Sequence, residues 1–290
     1  MSDSFSQLVH LMARLRAPDG CPWDRKQTHE SLKPYLIEEA YEVLEAIDRQ
    51  DVAGLREELG DLALQILFHA QIGTEAGTFT IDEVLRQLAA KLVRRHPHVF
   101  ARGDGSEQPG SPEEVVTRWE EIKRRERTQA GPAEEPDSAL SGVPKTLPAL
   151  LRAYQVQARA SRVGFDWPHS RQGRNLVIGK IEEEVRELRE ALGSLADTEA
   201  GVPAAAARRD SQARVQAEFG DLLFALVNLG RFIKVNPEEA LRQATNRFTE
   251  RFRYIERAAA RRGHRLEDMS PGEMDALWEE AKQHHAIRNP

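Results

Sequence analysis

Acidic side chains recur in this chain at a spacing that could hold a metal ion. The pattern Glu-Glu-x-x-Glu, followed downstream by Glu-x-x-Asp, occurs twice. Residues three and four apart share one face of a helix, so each copy predicts carboxylates on one helix facing two more on a second helix. Carboxylates crowded in this way repel one another unless a cation lies between them. The two sets are Glu38, Glu39, Glu42, Glu58 and Asp61, and Glu183, Glu184, Glu187, Glu218 and Asp221.

The residues after each Glu-x-x-Asp pair are strongly apolar. Residues 62–68 read LALQILF and residues 222–227 read LLFALV, so we expect each pair to open a helix that is largely buried. Carboxylates placed there without a partner are costly, and they bind a cation or change protonation. A solvated acidic face is the usual interpretation of a charge run, but the apolar flanks and the repetition disfavour it.

The donor atoms indicate which cation would bind. Carboxylate oxygens without His or Cys at ligand spacing suit a hard ion such as Mg²⁺, with Mn²⁺ as an alternative. A di-iron carboxylate bundle would require Glu-x-x-His. None of the nine histidines lies three residues after a glutamate, which argues against that site.

Composition narrows the class of protein. The 290 residues are 40% hydrophobic, 30% charged and 6% aromatic, and the alternation typical of strands is nearly absent, so we expect an all-α fold. A net charge of −6 and a pI near 5.9 argue against stable nucleic-acid binding. No apolar run approaches the ~20 residues that span a membrane, and the N-terminal segment lacks the apolar core of a signal peptide. We therefore expect a cytoplasmic protein.

The carboxylate sets belong to a longer internal repeat. Thr80 and Asn236 are expected N-caps of two helices that carry basic pairs at identical distances, and Ser111 and Ser270 are expected N-caps of two helices that carry tryptophan at identical distances. The repeat predicts two tandem helical domains, 1–128 and 148–290, joined by a linker at 129–147 that is rich in Gly and Pro. The residues at matched positions are Lys91, Arg95, Trp119 and Lys123, and Arg247, Arg251, Trp278 and Lys282.

Each pair of acidic helices is expected to form an antiparallel hairpin. One hairpin leaves a wide apolar face uncovered, and pairing two such faces gives a four-helix bundle. The partner face could belong to the other half of the chain or to a second chain. We favour a homodimer.

The basic and aromatic residues suggest a phosphorylated ligand. Two basic side chains one helical turn apart can contact a polyphosphate together, and the matched tryptophan and lysine could border a base or sugar. Core packing is an alternative for the tryptophans, and ion pairs with glutamate are an alternative for the arginines. The chain contains no G-x-x-x-x-G-K-[ST] sequence, so it is not a P-loop NTPase.

The two acidic sets and the tandem organisation resemble the MazG family of nucleoside triphosphate pyrophosphohydrolases. Further similar stretches are residues 20–24 (GCPWD), 94–100 (RRHPHVF) and 162–167 (RVGFDW). The resemblance implies Mg²⁺-dependent hydrolysis of NTPs and dNTPs to the monophosphate and pyrophosphate by a homodimer. Alternatives are a narrower pyrophosphatase for dUTP or damaged nucleotides, and a non-enzymatic helical scaffold.

The resemblance also implies roles for individual residues. It implies a main catalytic site in the second half, with Glu184, Glu187, Glu218 and Asp221 as metal ligands. We expect Glu183 or Glu184 to position or deprotonate the attacking water. It places phosphate contacts on Arg247 and Arg251, and nucleotide contacts on Trp278 and Lys282. The corresponding residues of the first half are the metal ligands Glu39, Glu42, Glu58 and Asp61, the phosphate contacts Lys91 and Arg95, and the nucleotide contacts Trp119 and Lys123.

Overall fold

The computed structural model describes residues 2–100, 110–129, 138–200 and 205–288. These residues form α-helices and one short 3-10 helix, and no strand occurs among them, which confirms the predicted all-α fold. The chain divides into two compact units, Met1–Gly131 and Pro132–Pro290. Of the helices described, none combines the length and the apolar character needed to cross a membrane.

The helices of the two units follow the same order. A helix and a tryptophan-containing segment come first, followed by a hairpin of two acidic helices, a basic helix and a last helix with tryptophan. In the first unit these are α1 (Ser2–Arg16), α2 (Pro22–Lys26), α3 (Lys33–Asp48), α4 (Val52–Glu75), α5 (Ile81–Arg95), α6 (Pro97–Phe100) and α7 (Pro112–Gln129). In the second unit they are α8 (Ala149–Arg162), α9 (Arg171–Ala200), α10 (Ala205–Phe232), α11 (Pro237–Arg261), a 3-10 turn (Leu266–Asp268) and α12 (Pro271–Arg288).

Local sequence signals set the helix ends. The Asp51 side chain accepts hydrogen bonds from the backbone N–H groups of Ala53 and Gly54, which starts α4 directly after the turn that ends α3. Thr80 forms a capping box that starts α5, and Asn236 caps α11. These caps satisfy N–H groups that have no partner inside the helix. The predicted acidic hairpins are confirmed, because α3 packs against α4 and α9 packs against α10.

Each unit has its own small core. In the first unit, Met12 of α1, Leu32 and Phe68 of α4 are almost fully buried and pack together. In the second unit, Ile255 of α11 packs against Leu277 of α12. These contacts hold α1 against its hairpin and α12 against α11.

One sequence prediction about the acidic helices is wrong. The Glu-x-x-Asp pairs do not open their helices, because α4 begins at Val52 and α10 begins at Ala205. The polar stretch before Glu218 contains alanine, arginine and glutamine, which are good helix formers. The residues therefore extend the helix, and the carboxylates lie well inside it.

The same helices are less buried than the apolar pattern predicted. Leu59 and Ile66 of α4 are about half exposed, at 50% and 49%, as are Phe219 and Leu226 of α10, at 53% and 44%. The exposed residues lie on a face of each hairpin that no described residue of the unit covers. The deviation is consistent with hairpin faces that need a further partner.

Part of the predicted linker contacts the second unit. Residues 138–147 lie against α8, where the Arg159 guanidinium donates hydrogen bonds to the backbone carbonyls of Ser141 and Gly142. Residues 130–137 of that predicted linker lie outside the described residues. Composition alone did not reveal this contact because it is made by backbone carbonyls.

Candidate active site

The hairpins bring three carboxylates together in each unit. One oxygen from each of Glu39, Glu58 and Asp61 lies within 4.8 Å of the others, and the same is true of the trio Glu184, Glu218 and Asp221. In each trio one residue comes from the first acidic helix and two, three positions apart, from the second. The spacing of the sequence motif therefore produces the predicted convergence.

The remaining predicted ligand of each set lies next to its trio without being part of it. Glu187 lines the same cavity wall as Glu184 and Asp221. Burial raises the pKa of Glu58, and Glu42 is close enough for its charge to raise that pKa further. Each of these two glutamates lies about one helical turn after the first glutamate of its trio, Glu184 or Glu39. A cation shared by the trio would therefore have a fourth carboxylate beside it.

Burial and charge repulsion act together on the first trio. Burial and the charge of Asp61 raise the pKa of Glu39 above its ordinary value. Burial raises the pKa of Glu58 as well, and Glu42 and Asp61 add to it. Gln65 donates a long hydrogen bond of 3.4 Å to Glu39 but brings no charge. A cation would relieve this repulsion directly.

A lysine that the sequence reasoning missed neutralises part of the second trio. Lys180 Nζ lies 2.7 Å from a carboxylate oxygen of Glu184 and 3.1 Å from one of Glu183. Hydrogen bonds to Glu184 and Glu183 raise the pKa of Lys180. The matched position in the first unit, four residues before Glu39, is Tyr35. The signal was available in the sequence, since residues four apart on a helix are neighbours.

The donor set suits a hard divalent cation. Every converging atom is a carboxylate oxygen, and oxygen-only sites are typical of Mg²⁺ and Mn²⁺. Glu184 is buried, with 5% of its surface exposed, and a buried carboxylate requires a counter-charge. Lys180 supplies one positive charge, so the three carboxylates of the trio keep a net negative charge that a divalent ion could balance.

Two carboxylates of the second trio, Glu184 and Asp221, line a cavity of about 740 Å³. This volume is within the range of small-molecule sites, which are mostly apolar with a few converging polar groups. Lys180, Glu184, Glu187 and Asp221 form the charged end. The apolar part is lined by Val156, Phe165, Trp167, Val177 and Phe224.

Like Asn228, Gln157 places a buried polar side chain in the cavity wall. Its Nε2 donates a 2.8 Å hydrogen bond to the Phe224 carbonyl, which fixes the orientation of the amide. Its Oε1 is buried and has no hydrogen-bond partner among the described residues. A buried acceptor left unpaired costs free energy, and no sequence motif singles this residue out.

A buried ion pair fixes the segment that carries Trp167. Arg231 of α10 donates two hydrogen bonds to Asp166, one of them 2.7 Å long, and Ser161 Oγ donates another of 2.6 Å. Burial opposes ionisation of Asp166, but these hydrogen bonds outweigh it and lower the pKa of Asp166 to about 2. Asp166 in turn accepts from the Trp167 backbone N–H. The tryptophan is therefore held at the cavity by a charge-assisted network.

The predicted phosphate and nucleotide contacts of the second unit lie on α11 and α12. The Arg251 guanidinium lies over the Trp278 ring at 5.7 Å, and Trp278 also packs against the core cluster of Ile255 and Leu277. Lys282 forms an ion pair with Glu279 at 2.5 Å, and Arg247 is exposed. Among the described residues that line the cavity, none of these predicted contacts is present.

The matched residues of the first unit have different neighbours. Arg95 forms an ion pair with Glu126 at 2.6 Å, and Arg94 contacts the same carboxylate. Trp119 packs edge-on against His96 at 4.8 Å between ring centres. Of the two lysines, Lys91 is exposed and Lys123 is half-buried.

Comparisons with known proteins agree with the sequence motifs. A model of the MazG nucleotide pyrophosphohydrolase domain matches residues 27–100. The nucleoside triphosphate pyrophosphohydrolase/pyrophosphatase MazG of Thermotoga maritima is 46% identical over 278 residues, which cover 96% of this chain and 95% of that protein. The nucleoside triphosphate pyrophosphohydrolase of Escherichia coli K12 is 41% identical over 283 residues, covering 97% and 98%. The uncharacterized protein YabN of Bacillus subtilis is 44% identical over 279 residues, and this chain spans about half, 52%, of its length.

Proposed function

Because the chain belongs to the MazG family of nucleoside triphosphate pyrophosphohydrolases, we propose that it hydrolyses NTPs and dNTPs to the monophosphate and pyrophosphate in its second unit. One observation carries the choice of site: Glu184 and Asp221, two carboxylates of the trio that Glu218 completes, line a largely apolar cavity of about 740 Å³. A triphosphate would lie at the carboxylate end, and the nucleoside would enter the apolar part.

Magnesium is the proposed cofactor, and Mn²⁺ is an alternative. The donor set fits, because all the converging atoms are carboxylate oxygens. Glu184, Glu218 and Asp221, with Glu187 beside them, would hold the ion. When bound, such an ion neutralises phosphate charge and lowers the pKa of a coordinated water.

The protein's own groups would orient and deprotonate the attacking water. Glu183 lies beside the trio, and its carboxylate is partly exposed; either Glu183 or Glu184 would act as the base. The water oxygen forms a bond to the α-phosphorus, its proton passes to the glutamate, and the bond from the α-phosphorus to the bridging oxygen breaks. Pyrophosphate leaves with that electron pair.

The remaining proposed contacts require a second copy of the chain or closure of α11 and α12. Arg247 and Arg251 would bind the leaving pyrophosphate, and Trp278 and Lys282 would contact the nucleotide, yet they lie outside the cavity lining described above. The half-exposed apolar residues Phe219 and Leu226 on α10 offer a face that a second copy would cover. We therefore propose a homodimer, which buries this face and completes the site.

A panel of triphosphates with product identification tests this function. The purified chain, supplied with Mg²⁺ and ATP, should yield AMP and pyrophosphate by phosphorus NMR, and no product in excess EDTA. ADP with orthophosphate would contradict the proposed bond cleavage. The absence of turnover with every NTP and dNTP would contradict the enzyme and favour a scaffold.

The panel also tests a narrower substrate range. The unpaired Oε1 of Gln157 in the cavity wall would accept a hydrogen bond from an amino or imide N–H group of a base. Turnover confined to one base, or to dUTP or a damaged nucleotide, would establish a selective pyrophosphatase in place of a general one.

A further inference from the structure

The last helix of each unit packs differently against its basic helix. Trp119 follows the α7 cap by the same number of residues as Trp278 follows the α12 cap, and Arg95 and Arg251 are matched in the same way. A difference in contacts at these matched positions can therefore be read as a difference between the two units.

In the first unit, one carboxylate holds two arginines. Glu126 Oε1 accepts a 2.6 Å hydrogen bond from Arg94, and Glu126 Oε2 accepts bonds of 2.6 Å and 3.2 Å from Arg95. The Arg95 and Glu126 side chains are largely buried, at 24% and 20% exposure. Glu126 lies seven residues after Trp119, on the same face of α7 two turns further along. The helix that would contact the nucleotide thus also carries the group that occupies Arg95.

In the second unit, the matched arginine has an aromatic neighbour instead of a carboxylate. The Arg251 guanidinium lies over Trp278 at 5.7 Å, and its Nε is buried without a hydrogen-bond partner among the described residues. Seven residues after Trp278 the sequence has His285, so the position matched to Glu126 carries no carboxylate. Arg251 therefore keeps a donor for a further acceptor.

A triphosphate and Glu126 would compete for the same guanidinium groups. Arginine binds a carboxylate and a phosphate through the same pair of N–H donors. A phosphate approaching Arg95 would have to displace Glu126, and the displaced carboxylate would remain nearby as a repelling charge. The hydrogen bonds from Arg95 and Arg94 lower the pKa of Glu126 to about 2, so the competitor stays ionised at working pH.

From this contact we propose that Glu126 determines which unit binds the triphosphate: by occupying Arg94 and Arg95 it excludes the substrate from the first unit. The proposal rests on the proposed function of the second unit. Glu126 would then prevent substrate binding in the first unit, although the carboxylate trio there is intact.

The substitution Glu126→Gln tests the proposal by binding stoichiometry. Glutamine keeps the shape of the side chain but removes its charge. The full chain is titrated calorimetrically, in the presence of Mg²⁺, with α,β-methylene-ATP, an analogue whose α–β linkage cannot be hydrolysed. We expect one bound analogue per wild-type chain and two per Glu126→Gln chain. Glu121→Gln is the matched control, because Glu121 is exposed on the same helix, and it should leave the stoichiometry at one.

A second background isolates the first unit. In a chain carrying Arg247→Ala and Arg251→Ala, we expect Glu126→Gln to tighten analogue binding by about tenfold, the size expected for the loss of two partly exposed ion pairs. Circular dichroism verifies that each variant is folded. A folded Glu126→Gln chain that still binds a single analogue, or a wild-type chain that already binds two equally, would overturn the role of Glu126. A wild-type chain that binds none would instead overturn the proposed function.

Discussion

At the scale of residues, the two carboxylate trios are alike in geometry but not in charge. Lys180 contacts Glu184 and Glu183 in the second unit, whereas Tyr35 occupies the matched position in the first. An ammonium group among carboxylates stabilises them in the absence of a metal and competes with a metal that binds. Two trios with the same ligands are therefore expected to differ in metal affinity.

The substitution Lys180→Met should strengthen Mn²⁺ binding to the second trio by roughly tenfold, since one nearby positive charge is removed. The measurement is Mn²⁺ titration by electron paramagnetic resonance in an Asp61→Asn background, where only the second trio is intact. Lys145→Met is the control, because Lys145 is exposed. Unchanged or weaker Mn²⁺ affinity would mean that Lys180 does not compete with the cation.

The proposed division of labour predicts unequal effects of matched substitutions. Asp221→Asn should lower turnover by more than about a hundredfold, since even the loss of residues that merely orient metal ligands costs 10- to 100-fold, while Asp61→Asn should retain at least half of it. Rates are compared at saturating Mg²⁺, with circular dichroism as the check on folding. Equal losses in two well-folded variants would show that both units share the reaction.

At the scale of elements, each unit fixes its tryptophan segment with a buried arginine drawn from a different helix. In the second unit Arg231 of α10 binds Asp166. In the first, Arg16 of α1 forms an ion pair with Glu75 at 2.7 Å and also donates to backbone carbonyls of the tryptophan segment. The same segment is thus held in place by unrelated contacts, which a comparison of motifs would not reveal.

The Asp166–Arg231 pair makes a pH-dependent contribution to stability. The pKa of Asp166 is about 2 when folded, against about 3.9 for an unperturbed aspartate. Its stabilisation is therefore complete above about pH 4 and is lost as the pH falls towards 2. Asp166→Asn should lower the free energy of unfolding by on the order of 3 kcal/mol at pH 7, with a smaller deficit at pH 3.

Urea unfolding at pH 7, 4 and 3 measures this deficit. Asp275→Asn is the control, because Asp275 is exposed on α12 and should show no comparable loss. A deficit for Asp166→Asn that is the same at pH 3 as at pH 7 would exclude the ion pair as its source.

At the scale of the whole molecule, the acidic hairpins expose apolar faces to solvent. Leu223 of α10 and Leu192 of α9, together with Phe219 and Leu226, are all more than a third exposed. Apolar patches of this kind mark association surfaces. A second copy of the chain would remove them from water and bring further side chains towards the cavity.

Leu226→Glu should convert the proposed dimer to a monomer of 32.7 kDa and lower turnover. A charge in the apolar face is costly to bury, so the interface is lost first. Light scattering coupled to gel filtration measures the mass. Val52→Glu is the control, since Val52 is exposed at the start of α4. A Leu226→Glu chain that retains the wild-type dimer mass would place the interface elsewhere.

The sequence by itself determined the helical fold, the capped helix ends and the trios, because these depend on spacing along one or two helices. Thr80, Asn236 and the Glu-x-x-Asp pairs are local signals. Each predicts a helix cap or a shared helix face from residues only a few positions apart. The helix that carries Glu218 begins earlier than the apolar pattern predicts, because the residues before Glu218 are mostly good helix formers.

Only the tertiary structure decided which side chains become partners across elements. The occupation of Arg95 by Glu126, the clamp of Asp166 by Arg231 and the cavity with the unpaired Gln157 all join residues more than 30 positions apart or depend on burial. Periodicity predicts the face of a helix on which a residue lies. It does not predict what packs opposite that face, because this depends on how the helices are arranged in three dimensions.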